Sequence, residues 1–380
     1  MIPRKRDAGM NNSGLDSTLE NSIDSEVWQD LLEVTSADQQ FLSHHWYDVW
    51  SRTYAANDGD FTPVTFTSAN GDQSHSKDSI FPCVVRSRGG IQVLSMAGYY
   101  YPFRTFLCHP DVRDTATERF MEAVHDDSSA AIVLLGPLQT DDDVSAPLVS
   151  SFQRKNWKIC EVSAGAQQLV KLPGTVEEFR ASLSRSLRKN HDRRKRSLES
   201  IGQFDISYYN SCSSELWDQA IDQCAQVESR CWLADDGKTR VYGQEEFWKG
   251  YAAREDGSRR LSVWVVSLDS KPIAYSLAVD SGASRYSISG QYDEAYKKHG
   301  VGIIAVMRMF EQGIETGKTV VNMGDGESEY KRRWGAQHGT ELQSFYTFRP
   351  NIIVRLAHRG SLTVNWLRQN SVIHRLTRLF

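Results

Sequence analysis

The sequence predicts an α/β (α+β) protein of two tandem units, each a mixed, mostly antiparallel sheet flanked by helices. Three observations carry this. The chain has 380 residues, more than one core of ordinary size holds, so two units of about 150 residues each are expected. Apolar runs of strand length recur in both halves, separated by amphipathic helical stretches. In the second half, three strand-like runs lead into a loop with two glycines, then a helix, then another strand.

The elements follow in order. Residues 1–25 are rich in Asn, Ser and Asp and are expected to form a disordered tail. Leu42, Trp46 and Trp50 recur at spacings of four, which makes Phe41–Trp50 an amphipathic helix. Thr62–Thr67 reads as a strand, and Ser79–Arg86 and Ile91–Met96 as a strand pair across Gly89-Gly90. A helix at Thr115–His125, a buried strand at Ala131–Leu135, a helix at Leu148–Asn156 and a strand at Trp157–Val162 complete a unit over residues 26–165. The second unit, 166–350, opens with a helix whose Thr175 cap and Glu177-Glu178 start are a helix N-terminal signature. That helix is expected to run to about Ser200, before Gly202. Then come a strand at Phe204–Tyr209, a helix at Ser213–Ser229, and strands at Leu261–Leu268, Ile273–Val279 and Arg285–Gly290. A helix at Val301–Gly317 and strands at Thr319–Met323 and Glu341–Phe348 follow. Residues 351–380 form a basic amphipathic segment, either a helix on an anionic membrane surface or one packed on the body.

Composition excludes several classes. At 40% hydrophobic, 24% charged and net charge -4, the chain is ordinary for a soluble globular protein. No apolar run approaches the roughly 18 residues of a membrane span, and the N-terminus has no apolar signal core. Six cysteines without CxxC pairs read as reduced thiols, so a cytoplasmic location is expected, with a peripheral membrane or synthase contact through 352–380. His44, His45 and His299 have no metal spacing with carboxylates, so no metal is expected. No Gly-x-Ser-x-Gly elbow is present, which argues against an α/β-hydrolase. Arg180–Arg196 holds eight cations against Asp192 alone, and Leu342–Phe380 has six arginines and no acid. The first block reads as a solvated helix face, a site for an anionic substrate or, least of all, a nucleic-acid surface.

The chemistry concentrates between Arg285 and Trp334. The loop Lys297, Lys298, His299, Gly300, Val301 and Gly302 precedes a helix, where free amides and the helix dipole bind anions and glycines let backbone approach them. Gln291 and Tyr292, after the third strand, are placed to line the same slot. Acyl transfer needs a base at the acceptor, an oxyanion donor and an acid at the leaving group. Asp325 between two glycines is the candidate base, Tyr330 the acid and Lys331 the anion contact. Their alternatives are a helix cap, a packing aromatic and a solvated lysine. Arg188, Glu228, Trp232 and Tyr275 are expected on the acceptor side.

This order of elements resembles the GNAT acyltransferase fold, whose pyrophosphate loop follows the pattern Gln/Arg-x-x-Gly-x-Gly/Ala. Lys297, Gly300 and Gly302 occupy the matching positions, with Lys in the first place. The Arg-rich stretch Leu183–Gly202 and the segment Gly326-Glu-Ser-Glu-Tyr-Lys-Arg-Arg-Trp-Gly335 resemble the CelD/BcsL-type acetyltransferases, two-domain GNAT proteins linked with cellulose and exopolysaccharide biosynthesis. The architecture is also similar to the FemABX peptidyltransferases, which pass aminoacyl groups from tRNA. The resemblance covers roughly residues 38–348. It implies an acyl-CoA donor, acetyl-CoA first, and a sugar or polysaccharide-precursor amine or hydroxyl as acceptor. Aminoacyl transfer from tRNA, or a non-catalytic scaffold for a polysaccharide synthase, are the alternatives. The first half has no Gly-x-Gly loop before a helix, so it is expected to wall the acceptor cleft and bind no donor.

Overall fold

The computed structural model describes residues 17–20, 24–35, 40–55, 61–68, 77–88, 91–97, 105–126, 129–235 and 237–350; the amphipathic segment expected at 351–380 lies outside them. Thirteen strands form one sheet. They are β1 (Ser17–Glu20), β2 (Phe61–Ser68), β3 (Ser79–Arg88), β4 (Ile91–Met96), β5 (Leu107–Cys108), β6 (Ile132–Gln139), β7 (Lys158–Lys171), β8 (Phe204–Tyr209), β9 (Leu261–Leu268), β10 (Lys271–Ser281), β11 (Ser284–Tyr292), β12 (Val320–Asp325) and β13 (Gln337–Phe348). The helices are α1 (Ser25–Val34), α2 (His44–Trp50), α3 (Arg113–Asp126), α4 (Ser145–Arg154), α5 (Val176–Ser182), α6 (Arg185–Glu199), α7 (Ser214–Glu228), α8 (Glu245–Ala252), α9 (Glu255–Arg260), α10 (Gly302–Glu315) and α11 (Glu329–Arg333).

The sheet order is β1-β2-β3-β4-β6-β13-β7-β12-β11-β10-β9-β8, with β5 paired to β3 off this path. The two halves repeat one plan. In each, three antiparallel strands lead through a helix to a parallel neighbour: β2-β3-β4, α3 and β6, then β9-β10-β11, α10 and β12. β13 leaves the second half to lie between β6 and β7. β7 pairs with β13 from Lys158 to Leu169 and with β12 from Gln167 to Lys171, so one strand of 14 residues serves both halves. The boundary expected between 165 and 166 therefore falls inside a continuous strand.

Two other expectations are corrected. Residues 17–20, placed in a disordered tail, pair antiparallel with Thr65–Ser68 at the sheet edge, and Asp24 caps α1. Backbone pairing with a ready-made edge orders a segment whose composition alone would not. The single helix expected from Thr175 to Ser200 is broken at Leu183, which is extended (φ -73°, ψ 150°) and buried. Ser184 then caps α6, its Oγ accepting from the Leu187 N–H at 3.2 Å. Serine competes for backbone donors, so a Ser-Leu-Ser stretch breaks a helix and restarts it.

The halves share their packing. Trp46 of α2 meets Phe247, Trp248 and Tyr251 of α8 edge-on, inside a core that also takes in Val84 of β3 and one face of β9 and β10, from Leu261, Val263 and Val265 to Tyr275, Leu277 and Val279. A second core in the first half is built on Phe66, Phe81, Phe106, Phe120, Phe152 and Trp157. α6 turns Leu187, His191 and Leu198 inward and keeps most of its cations in solvent.

Candidate active site

The site begins where two parallel strands part. β11 and β12 pair only through Ser284↔Val320, Arg285↔Val321 and Tyr286↔Asn322. β12 pairs with β7 from Val320 onward and stays on it beyond these residues, with Asp325 opposite Gln167, while β11 runs on to Tyr292 against β10. The gap lies at the carboxyl ends of both strands, the position at which open α/β sheets bind ligands. Gly290 is exposed on its β11 lip, and Gln291 and Tyr292 are half-buried.

The glycine loop sits beside this gap. A short 3₁₀ turn, Glu294–His299, ends at Gly300 in the left-handed region (φ 58°, ψ 40°), and α10 starts two residues later without a side-chain cap. Gly300 is favoured by its positive φ, and both glycines are closely approached by side chains. A Cβ on Gly300 would lie 2.3 Å from Cζ of Arg194, and a Cβ on Gly302 would lie 3.2 Å from the Tyr292 ring. The space above Gly300, expected to admit an anion to bare backbone, thus holds a guanidinium. Arg194 Nη1 is buried without a hydrogen-bond partner, and burial with the nearby Arg193 and Arg333 lowers the pKa of Arg194. His299 Nδ1 lies 3.3 Å from Ser197 Oγ, which ties α6 to the loop. Lys297 is exposed and pairs with Glu294 at 3.2 Å; Lys298 is exposed too. Burial, then the Glu294 carboxylate, raises the Tyr292 phenol.

The opposite lip is the turn Gly324-Asp325-Gly326, in which both glycines have positive φ (84° and 75°). Left-handed backbone costs about 1–2 kcal/mol for residues with a Cβ, so this turn needs its glycines. Asp325 is exposed, and its carboxylate accepts no hydrogen bond from a described residue. It does not cap α11; Ser328 does, its Oγ accepting from the Lys331 N–H at 3.2 Å. Lys331 Nζ donates to the main-chain oxygens of Asp325 (2.6 Å) and Gly326 (3.0 Å), so it clamps the turn and keeps one N–H to spare. Burial lowers its pKa, and Asp325 partly offsets this. Tyr330 is 45% exposed, yet its hydroxyl is pushed up to about 12 by burial. A phenol raised this way is protonated at neutral pH and can donate.

Not every expected residue joins these two lips. Glu228 is fully buried at the end of α7. Its Oε2 accepts from the N–H groups of Arg240 (2.9 Å), Val241 (2.7 Å) and Tyr242 (2.8 Å). Its Oε1 accepts from the Tyr275 hydroxyl and from Ser289 Oγ at 3.0 Å. Glu228 and Tyr275, expected to touch acceptor, are a core knot joining β11 to the 240–242 backbone: a carboxylate stripped of water must be saturated by donors. Trp232, in the same connection, is 61% exposed. Arg188 is exposed on α6, and Arg194 is the arginine that reaches the loop. Arg194 lies seven residues after Leu187 and three after His191, on the inward stripe, which is a signal the sequence carries.

Residues 185–332 match the family of acetyltransferase (GNAT) domains. This is a GNAT-type acyltransferase fold, and the protein is an acyltransferase. Solved structures extend the likeness in fold to about nine-tenths of the chain. FemX superposes with a TM-score of 0.60 at 9% identity, over 90% of this chain and 99% of that one. The C-terminal domain of a putative lysylphosphatidylglycerol synthetase from Agrobacterium fabrum gives 0.53 at 12% identity, over 90% and 95%. A tandem GNAT protein from the clavulanic acid biosynthesis pathway gives 0.50 at 10% identity, over 87% and 98%. No curated protein matches the sequence. In this GNAT-type enzyme, no helix among the described residues is long and apolar enough to cross a membrane. No cluster of His, Cys, Asp or Glu among them is placed to hold a metal ion.

Proposed function

We propose that the enzyme transfers an acyl group, acetyl first, from an acyl-CoA to an amine or hydroxyl of a sugar or polysaccharide precursor, as in the CelD/BcsL-type proteins that it resembles. One observation carries the donor class: the left-handed Gly300 turn and the uncapped start of α10 stand at the mouth of the β11–β12 gap, with Arg194 over the turn. A helix N-terminus with a guanidinium beside it suits a pyrophosphate. In this reading Asp325 takes the proton from the acceptor nucleophile, and the Tyr330 hydroxyl supplies one to the leaving thiolate. Lys331 holds the turn that carries Asp325. The β11 edge beyond Tyr286, bare of β12, is where an extended donor lies.

Isothermal titration of acetyl-CoA into the full chain tests this, beside a Gly300→Trp/Gly302→Trp double variant. Micromolar binding that the variant loses supports the reading, and an acceptor screen with amino sugars and nucleotide sugars follows. No binding at high protein concentration sinks it. A second reading, aminoacyl transfer from tRNA, has one observation in its favour. The exposed cations Arg185, Arg188, Lys189, Arg193, Lys195 and Arg196 of α6 make no ion pair with a described carboxylate.

A further inference from the structure

A second pocket lies outside the β11–β12 gap. It is a cavity of about 370 Å³ between the α5–α6 break and α11, lined by Ser182, Ser184, Glu329, Arg332, Arg333 and Trp334 among others. Its size lies in the range of small-molecule sites. Its walls combine two guanidiniums, two hydroxyls and an indole with a single carboxylate. Arg333 pairs with Glu329. Arg332, exposed, makes no ion pair with a described carboxylate, and Glu327 and Glu329 act on its charge only from beyond ion-pair distance. Behind Arg333 stands Arg194, close enough for the two charges to act on each other, with Nη1 buried and unpartnered. Cations that gather with too few carboxylates repel one another, and an anion between them removes that cost. α11 has Lys331 clamped on the Asp325 turn, and the two residues after it line the cavity, so the pocket stands one short helix from the candidate base.

We propose that this cavity binds the phosphate of a phosphorylated ligand of the nucleotide or phosphosugar class. Its arginines supply charge-assisted bonds to the phosphate oxygens, and the Ser184 hydroxyl, which only accepts from the Leu187 N–H, supplies a neutral one. The phosphate has two sources: the ribose phosphate of coenzyme A, or the phosphate of an activated-sugar acceptor. The proposal holds with either, so it does not stand or fall with the donor reading.

The test is isothermal titration of the full chain and of Arg332→Ala with coenzyme A, dephospho-coenzyme A and UDP-glucose. Arg332 has no partner to orphan, so the variant is expected to melt with the wild type. A roughly tenfold loss of affinity for coenzyme A, with dephospho-coenzyme A unchanged, places the donor's ribose phosphate in the cavity. The same loss for UDP-glucose, with coenzyme A unchanged, places the acceptor's phosphate there. Arg332→Lys recovers part of either loss. If wild type binds UDP-glucose through Arg332 and no coenzyme A, the donor reading fails and the cavity stands. Equal affinities of variant and wild type for every probe, or a wild type that binds none of them, overturn the proposal.

Discussion

α3 and α10 hold the same place in the two halves, each crossing from an antiparallel strand trio to a parallel neighbour, yet only α10 has the makings of a site. The approach to α3 is Pro110-Asp111-Val112, and its first turn carries Asp114. Carboxylates there use the positive end of the helix dipole themselves and repel an incoming anion. The approach to α10 carries Lys297, Lys298 and the left-handed Gly300, with Arg194 against it. The strand gaps differ as well. β4 and β6 also pair through only three residues, Val93 to Ser95 with Ile132 to Leu134. Next to them the buried Met96 Sδ accepts from the Gly136 N–H at 3.0 Å, and Leu135, Phe106 and Phe152 pack alongside in one core. The corresponding end of β11 keeps Gly290 in solvent. One topology gives a packed core or a binding gap, and the side chains at the parting strands decide which.

Four perturbations test how the two halves differ. The largest concerns what holds each half together. Glu228→Ala leaves three backbone N–H groups without their acceptor and the Tyr275 and Ser289 hydroxyls with only each other, and should cost about 3–5 kcal/mol by denaturant unfolding. Glu228→Gln should recover part of it, and a loss under about 1 kcal/mol would show the knot to be incidental. Next, Asp325→Asn should lower kcat about a hundredfold or more with donor affinity unchanged, as loss of a general base does. Unaltered turnover would remove Asp325 from the chemistry. Third, Arg194→Ala should weaken acetyl-CoA binding about tenfold, whereas the double change Asp111→Asn/Asp114→Asn at α3 should shift it less than twofold. Equal effects at the two helices would erase the distinction drawn here.

The smallest effect lies at the seam between the halves. His45 stacks on Tyr251, its Nε2 lies 2.8 Å from the Tyr251 carbonyl oxygen, and its Nδ1 is buried without a partner. Burial lowers its pKa below 6.5. The neutral ring donates from Nε2, and a proton on Nδ1 would be buried unpaired. Between the lowered folded pKa and the unfolded 6.5 the unfolded chain binds more protons, so stability rises with pH across that window and falls on acidification. His45→Gln should flatten that slope, by at most about 1.4 kcal/mol per pH unit, in thermal melts between pH 5 and 7. An unchanged slope would assign the acid sensitivity elsewhere.

Most strands and helices of both halves were legible in the sequence because each buries one face and so writes its period into the chain. β8 and β9 match their expected bounds, and α3 and α7 differ from theirs by one or two residues at each end. α8 and α9 were not read, although Phe247, Trp248 and Tyr251 are buried in the first of them. The candidate site was half legible. Gly300, Gly302 and Tyr292 stand on the β11 side of the gap and Asp325 on the β12 side. Glu228 and Tyr275 were misplaced because a carboxylate beside aromatic residues reads the same whether it faces substrate or saturates a core.

The repeated α/β plan, the glycine loop ahead of α10 and the acidic turn after β12 are written into the amino-acid order. Those features are local: periodicity, a positive φ that only glycine takes cheaply, and a strand end followed by a capped helix all act over a few residues. That β13 crosses to the first half, that Arg194 and not Arg188 covers Gly300, and that the first half's strand gap is filled emerge from the folded chain alone. Each depends on which of several chemically equivalent groups meets a distant partner, and that is settled by strand pairing and packing across the whole chain.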